Sequence, residues 1–159
     1  MSAAHRIEVR FAARKPWAPS SRKLAEWARV ALTCGVSADR NRVSLIVSVQ
    51  VVGTRRSRAL NARYRGKDAP TNVLSFAGAG RLPSGERDLG ELIICAPVLA
   101  REARAQHKPR LAHWAHITIH GVLHLLGLDH QTSREARNMQ TLETQILETM
   151  GFSNPYGRF

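Results

Sequence analysis

Residues 120–130 read HGVLHLLGLDH, and this segment restricts the fold more than any other stretch of the chain. His120 and His124 are four apart, so on a helix their rings share one face, one turn apart. Gly127 lets the chain leave that helix, because glycine tolerates the left-handed conformation that other residues resist. The turn can bring His130 back beside the pair. Two imidazoles one turn apart can take adjacent corners of a metal tetrahedron. A third from the turn leaves one corner open, which is the pattern of a catalytic zinc site rather than a closed structural one. The sequence therefore calls for a helix of several turns before Gly127 and a sharp turn after it. Asp129 is placed to orient a ligand ring as a supporting carboxylate. His116, four before His120, faces the same way and reads as lining or support. His113, His107 and His5 read as ordinary polar positions.

Metalloproteases of the metzincin type carry H-E-x-x-H-x-x-G-x-x-H, with the Glu as the general base that prepares water for peptide attack. This chain keeps the His spacing and the Gly but has Gly121 at the Glu position. The metal cage survives without the protease's base, which argues against a peptidase. A metal held here could still polarise a phosphoryl oxygen or acidify a water.

The remaining pattern predicts a small layered domain. Ile7, Val9 and Phe11 alternate with charged residues and predict a first strand, broken by Pro16 and Pro19. Ser20 or Ser21 caps a helix running to about Cys34, with Gly35 past its end. Val43–Val52 is β-branched and predicts a buried strand. Thr54 reads as the cap of a basic helix, TRRSRALNARYR. Pro70 imposes extended geometry on Ala69, and Val73–Phe76 follows as a short strand. Residues 77–88 read as a loop, and Leu89–Cys95 as a strand that could pair with the previous one as an antiparallel hairpin. Pro97 suits the first position of a helix to about Gln106. Pro109 restarts a long helix through Leu126, and Ser133 starts the last, which ends near Met150 and Gly151. The order β-α-β-α-β-β-α-α-α gives an α+β fold. It is one layered domain over residues 1–159, a small mixed four-stranded sheet packed with about five helices, with a metal site at the end of a central helix. The tail, about 152–159, is expected to fray.

At 159 residues the chain fits one domain, and its 43% hydrophobic content is enough for a core. Lys and Arg total 24 against 12 Asp and Glu, a net charge of +12, and 20 of the 24 cations are Arg. An Arg-dominated excess predicts an anionic, phosphate-bearing partner. The two cysteines, Cys34 and Cys95, form no disulfide framework and point to a reducing compartment. No apolar run approaches the roughly 20 residues that cross a bilayer, and the opening residues lack the apolar stretch of a signal peptide. A cytoplasmic protein with no membrane partner is the expectation.

HGVLHLLGLDH closely resembles the H-G-x-L-H-L-x-G-x-D-H signature of the YbeY family of bacterial endoribonucleases. LNARYRGKDAPTNVLSF, Leu60–Phe76, resembles that family's central motif. DLGELIIC, Asp88–Cys95, is a weaker third match, reading Gly90-Glu91 where the family usually has Gly-Asp. The loop after Phe76 is Ala-Gly-Ala-Gly where the family often has Pro-Phe. The resemblance implies a zinc-dependent single-strand endoribonuclease of 16S rRNA 3′-end maturation and ribosome quality control, with its His site in a basic cleft. It implies one Zn²⁺ per chain held by His120, His124 and His130, with Arg65 as the functional arginine. The expected partners are the single-stranded 16S rRNA precursor and the small ribosomal subunit, with no DNA specificity. Arg65 and His120 are then the catalytic candidates, and Arg65 and Lys67 bind substrate. Arg65 offers a fork for phosphate oxygens, against the plainer role of an ion pair with Asp68. Tyr64 could stack a base, although a core position is the simpler expectation. The general base stays open among metal hydroxide, Glu91 and Asp129, with hydroxide favoured. Thr71 and Ser75 read as a turn cap and a strand hydroxyl that could also reach substrate. The rival readings are a ribosome-assembly RNA-binding factor with a structural zinc and a metallohydrolase of another substrate.

Overall fold

Leu45–Val52 (LIVSVQVV) is almost wholly buried, and its β-branched residues suit a pleated strand covered on both faces. In the computed structural model, which describes residues 4–36, 43–128 and 131–156, this strand, β2, lies inside a four-stranded sheet. The others are β1 (Arg6–Phe11), β3 (Val73–Arg81) and β4 (Arg87–Cys95), in the order β1-β2-β4-β3. β1 and β4 run parallel to β2, and β3 runs antiparallel to β4, so the sheet is mixed as the sequence predicts.

Five helices complete the fold: α1 (Ser21–Gly35), α2 (Thr54–Arg65), α3 (Ala96–Ala105), α4 (Arg110–Leu125) and α5 (Ser133–Thr149). Ser20 caps α1 by accepting from the Lys23 N–H, and Thr132 caps α5 by accepting from the Glu135 N–H. Thr54 is not a cap. It is the first residue of α2, and Gly53 holds the cap position in extended geometry with no side-chain bond.

Side chains alternate across the sheet with period two. Val47, Val49 and Val51 of β2 and Leu92 and Ile94 of β4 enter the main core with α1, α4 and α5. Val52, Leu74, Ile93 and Cys95 face the other way, against Leu60 of α2, Val98 of α3 and Phe76.

The stretch 77–88 is a hairpin more than a loop. β3 continues to Arg81 and β4 begins at Arg87, leaving only residues 82–86 as the turn. The ladder shifts register between Ala77 and Gly80, so the arms pair despite poor strand formers. Gly90 makes this possible. Its φ is +136°, and a Cβ there would collide with the Phe76 carbonyl oxygen.

α4 is the central helix. It packs on α1, α3, α5 and both hairpin strands, and it is buried from His113 through Ile119. Gly127, at φ +96°, ends it, with the Gly127 N–H bonded to the His124 carbonyl. Residues 152–156, expected to fray, instead fold back. The Phe152 N–H bonds the Leu147 carbonyl, and its ring meets Trp27 edge-on at 6.2 Å.

Candidate active-site cleft

Spacings of three, four and four put His113, His116, His120 and His124 along one stripe of α4. The stripe forms one wall of a cleft of about 600 Å³. Val73, Leu74 and Ser75 of β3 face it, Glu102, Gln106 and Lys108 close one end, and Arg65 and Tyr156 complete the lining. A second hollow of about 330 Å³ shares Arg65, Ser75 and His124 with it and extends over Phe76 and Ala77. Together they make a groove rather than a closed pocket, a shape that admits a chain.

The histidines differ in their partners. His120 Nδ1 lies 2.5 Å from Glu143 Oε1, and His116 Nε2 lies 3.0 Å from Glu143 Oε2. The Tyr156 hydroxyl donates to the same Oε2. Glu143 comes from α5 and is wholly buried. Burial pushes its carboxyl up, but hydrogen bonds from His116, His120 and Tyr156 and the His120 charge pull it down to about 2. Burial holds the His116 imidazole below its ordinary value, against the pull of Glu143. Burial and Glu143 together push the Tyr156 hydroxyl far up, so it remains a donor. Further along, His113 Nε2 lies 2.9 Å from Glu102 Oε1, and the Asn72 amide donates to Glu102 at 3.2 Å. Burial raises the Glu102 carboxyl, but His113 and Asn72 outweigh it and hold it below the usual range.

Arg65 ends α2 and reaches the cleft. Its guanidinium donates to the Ser75 carbonyl at 3.0 Å and lies 5.5 Å from the Phe76 ring centre. The ion pair with Asp68 does not form, because Asp68 is gripped by Arg58 through bonds of 2.7 and 3.0 Å. Lys67 is exposed on the loop after α2 and is not among the cleft-lining residues. Tyr64 is not a core residue; it is 51% exposed and meets Phe76 edge-on at 5.2 Å. Thr71 is held through its backbone by the Ser57 hydroxyl, and Ser75 lines the groove.

Further sequence expectations change here. Glu91 is not brought to the site: its carboxylate lies 3.8 Å from Arg10 of β1 and is absent from the cleft lining. His113 is not an ordinary polar position but a buried wall of the cleft. Asp129 and His130 lie outside the described residues. Among the described residues no group of three His, Cys, Asp or Glu side chains is arranged to hold a metal ion, and the expected set has two of its members there, His120 and His124.

The pair nonetheless fits a metal. With Nδ1 bonded to Glu143, His120 would meet an ion through Nε2, the carboxylate–imidazole arrangement that fixes tautomer and ring orientation at metal centres. His124, one turn on, lines the same cleft, and two imidazoles suit zinc among the divalent ions. Position 121 leaves no place in the cleft for the protease's base. A Cβ at Gly121 would meet Leu92, so a side chain there would enter the core and not the cleft.

The family model for Endoribonuclease YbeY matches residues 12–151. The chain belongs to the YbeY endoribonuclease family. YbeY membership makes it a hydrolase of the nuclease type, acting on RNA in rRNA processing. The fold is similar to the solution structure of TM1509 from Thermotoga maritima, at TM-score 0.57 and 23% identity over 96% of this chain and 99% of that one. Among the described residues no helix is long and apolar enough to cross a membrane.

Glu143, Glu102 and Tyr156 are the site residues that sequence reasoning missed. Glu143 did leave a signal, since it shares a helical face with Met139, Ile146 and Leu147, all buried.

Proposed function

We propose that this chain is a zinc-dependent endoribonuclease that cuts single-stranded RNA, with the 16S rRNA precursor as substrate during 3′-end maturation and ribosome quality control in the cytoplasm. The observation that carries the reading is the convergence of His120, His124 and Arg65 on one open groove in a protein of net charge +12.

His120 and His124, together with His130, are assigned one zinc per chain. Bound there, zinc would supply Lewis acidity and lower the pKa of a bound water to about 7. Arg65 binds a phosphate of the RNA. Its planar fork matches two phosphate oxygens, and its place in the same hollow as His124 lets it hold charge that develops during cleavage. To do so the guanidinium shares or gives up its bond to the Ser75 carbonyl. Lys67, on the loop two residues on, supplies a second phosphate contact. The exposed Arg55, Arg56 and Arg63 of α2 extend the positive field that draws RNA in.

Metal analysis beside an RNA cleavage assay tests this reading, comparing wild type with His124→Ala. We expect about one zinc per chain and cleavage of single strands in the wild type, and loss of both in the variant. Unchanged zinc in His124→Ala overturns the ligand assignment. Zinc without RNA cleavage overturns the reaction.

A further inference from the structure

We infer that Glu143 is a positioning residue that sorts the histidine stripe of α4 into a ligand and a non-ligand, and that Tyr156 locks it in that role. Spacing alone leaves an ambiguity. His116–His120 and His120–His124 are both four apart, so either pair has the geometry for a shared ion. The carboxylate from α5 removes the ambiguity.

Glu143 is wholly buried and meets three groups: His116 Nε2 at 3.0 Å, His120 Nδ1 at 2.5 Å and the Tyr156 hydroxyl. An ionised carboxylate only accepts, so all three must donate. His120 therefore carries a proton on Nδ1, which leaves Nε2 as the nitrogen that can offer a lone pair to an ion. His116 is the reverse. Its proton is on Nε2 and committed to Glu143, and its Nδ1 is buried with no hydrogen-bond partner among the described residues. One carboxylate thus sets opposite tautomers on two rings a single turn apart. His120 is presented for coordination together with His124, and His116 is withheld.

Tyr156 supplies the third donor from outside the helices. The segment that carries it is built in place by Phe152 against Trp27 and by Asn154 Oδ1, which accepts from the Tyr156 N–H at 2.8 Å and from the Thr144 hydroxyl at 3.3 Å. Its hydroxyl also lies 3.1 Å from His116 Nε2, so it closes the carboxylate off on the side nearest the non-ligand.

The word ligand rests on the zinc reading above, but the tautomers do not, and the experiment separates the two. Nitrogen-15 spectra of the histidine rings in metal-free protein report each tautomer directly, and chelator competition reports zinc affinity. Wild type is expected to show His120 protonated on Nδ1 and His116 on Nε2. Glu143→Gln keeps the shape but offers one acceptor oxygen and an NH₂ to three donors. At least one ring should then change or mix tautomers, and zinc should bind about 10–100-fold more weakly. Tyr156→Phe keeps the ring and removes one donor. Both tautomers should survive, and zinc should weaken by a smaller factor, about three- to tenfold, scaled from the same support effect. His116→Gln should keep its zinc. His120 protonated on Nε2 in the wild type overturns the inference, as does Glu143→Gln with unchanged tautomers and zinc affinity. Unchanged zinc in Tyr156→Phe removes Tyr156 from it. Should Glu143→Gln not fold, the wild-type spectra and Tyr156→Phe still decide. Should wild type bind no zinc, the zinc reading falls while the ring spectra still test the sorting.

Discussion

Gly121 of α4 sits directly against Leu92 of β4: a Cβ at position 121 would lie 2.9 Å from Leu92 Cδ2 and 3.1 Å from Cδ1. Leu92 is fully buried in the main core, so the contact sets how closely the histidine helix approaches the sheet. Alanine ordinarily gains about 1 kcal/mol over glycine inside a helix. Here overpacking of about 1–3 kcal/mol opposes that gain. Gly121→Ala is expected to fold with a net loss of about 1 kcal/mol in urea unfolding. Gly121→Glu, which would bury an unpaired carboxylate, is expected not to fold and to show no peptidase activity. An alanine variant more stable than wild type would mean that Leu92 gives way freely.

Arg65→Ala separates positioning from chemistry. The residue is one of many cations, so RNA binding should weaken by about tenfold, the lower end of the scale for one charge-assisted contact. If the guanidinium holds charge that grows during cleavage, turnover should fall by about 10²–10³, as with loss of a comparable donor. Zinc content should not change. Arg65→Lys should recover only part of the rate, because an ammonium cannot reproduce the fork. Single-turnover cleavage at saturating RNA is the measurement, and a near-normal rate for Arg65→Ala makes it a binding residue only.

RNA affinity should fall steeply with salt. Each phosphate neutralised on a single strand adds about 0.7 to the log–log slope. Arg55, Arg56, Arg63, Arg65 and Lys67 are all exposed on or just after α2. Arg58 is tied to Asp68, so Arg58→Gln should change the slope less than Arg63→Gln does. Fluorescence anisotropy with a short single strand, repeated across salt concentrations, measures both slopes. A flat wild-type response rejects the electrostatic groove.

Acid should destabilise the metal-free protein in two stages. Burial keeps folded His116 from taking the proton that the unfolded chain accepts below about pH 6.5, so stability begins to fall there. Glu143 has a folded value of about 2 against an ordinary 4.5. Its contribution is complete above about 4.5 and drains as the pH falls toward 2, an effect of about 3 kcal/mol. Urea unfolding at a series of pH values reads both stages. Glu143→Gln should lose the lower stage, and a variant that keeps it assigns the acid limb to other carboxylates.

The element order, the mixed sheet and the hairpin were legible in the sequence because strand and helix periods are local signals, punctuated here by Pro70, Pro109 and Gly127. The hairpin arms beyond Phe76 were not, because AGAGR has no strand propensity of its own and pairs only because Gly90 allows the bulged approach. Arg65 was legible as a loop-proximal cation, and the structure adds that Asp68 is spent on Arg58. Glu143 and Tyr156 were not read as site residues. Their roles depend on α5 and the following turn folding across α4, and no spacing rule reaches from His120 to Glu143. The one available cue was a carboxylate on an apolar helical face, which burial penalises unless donors await it.

Two parts of the cleft lining are anchored very differently. The α4 wall is buried from His113 through Ile119 and again from Gly121 through Leu123, so it can open only when the core does. The wall bearing Tyr156 hangs on a backbone bond, a ring contact and a few polar bonds beyond the end of α5. Amide exchange should accordingly be slow along the histidine helix and fast over residues 152–156. The cleft has a hard wall and a soft rim. Mild heat or low urea should loosen the Tyr156 segment first, weakening zinc binding while the helical signal is still intact.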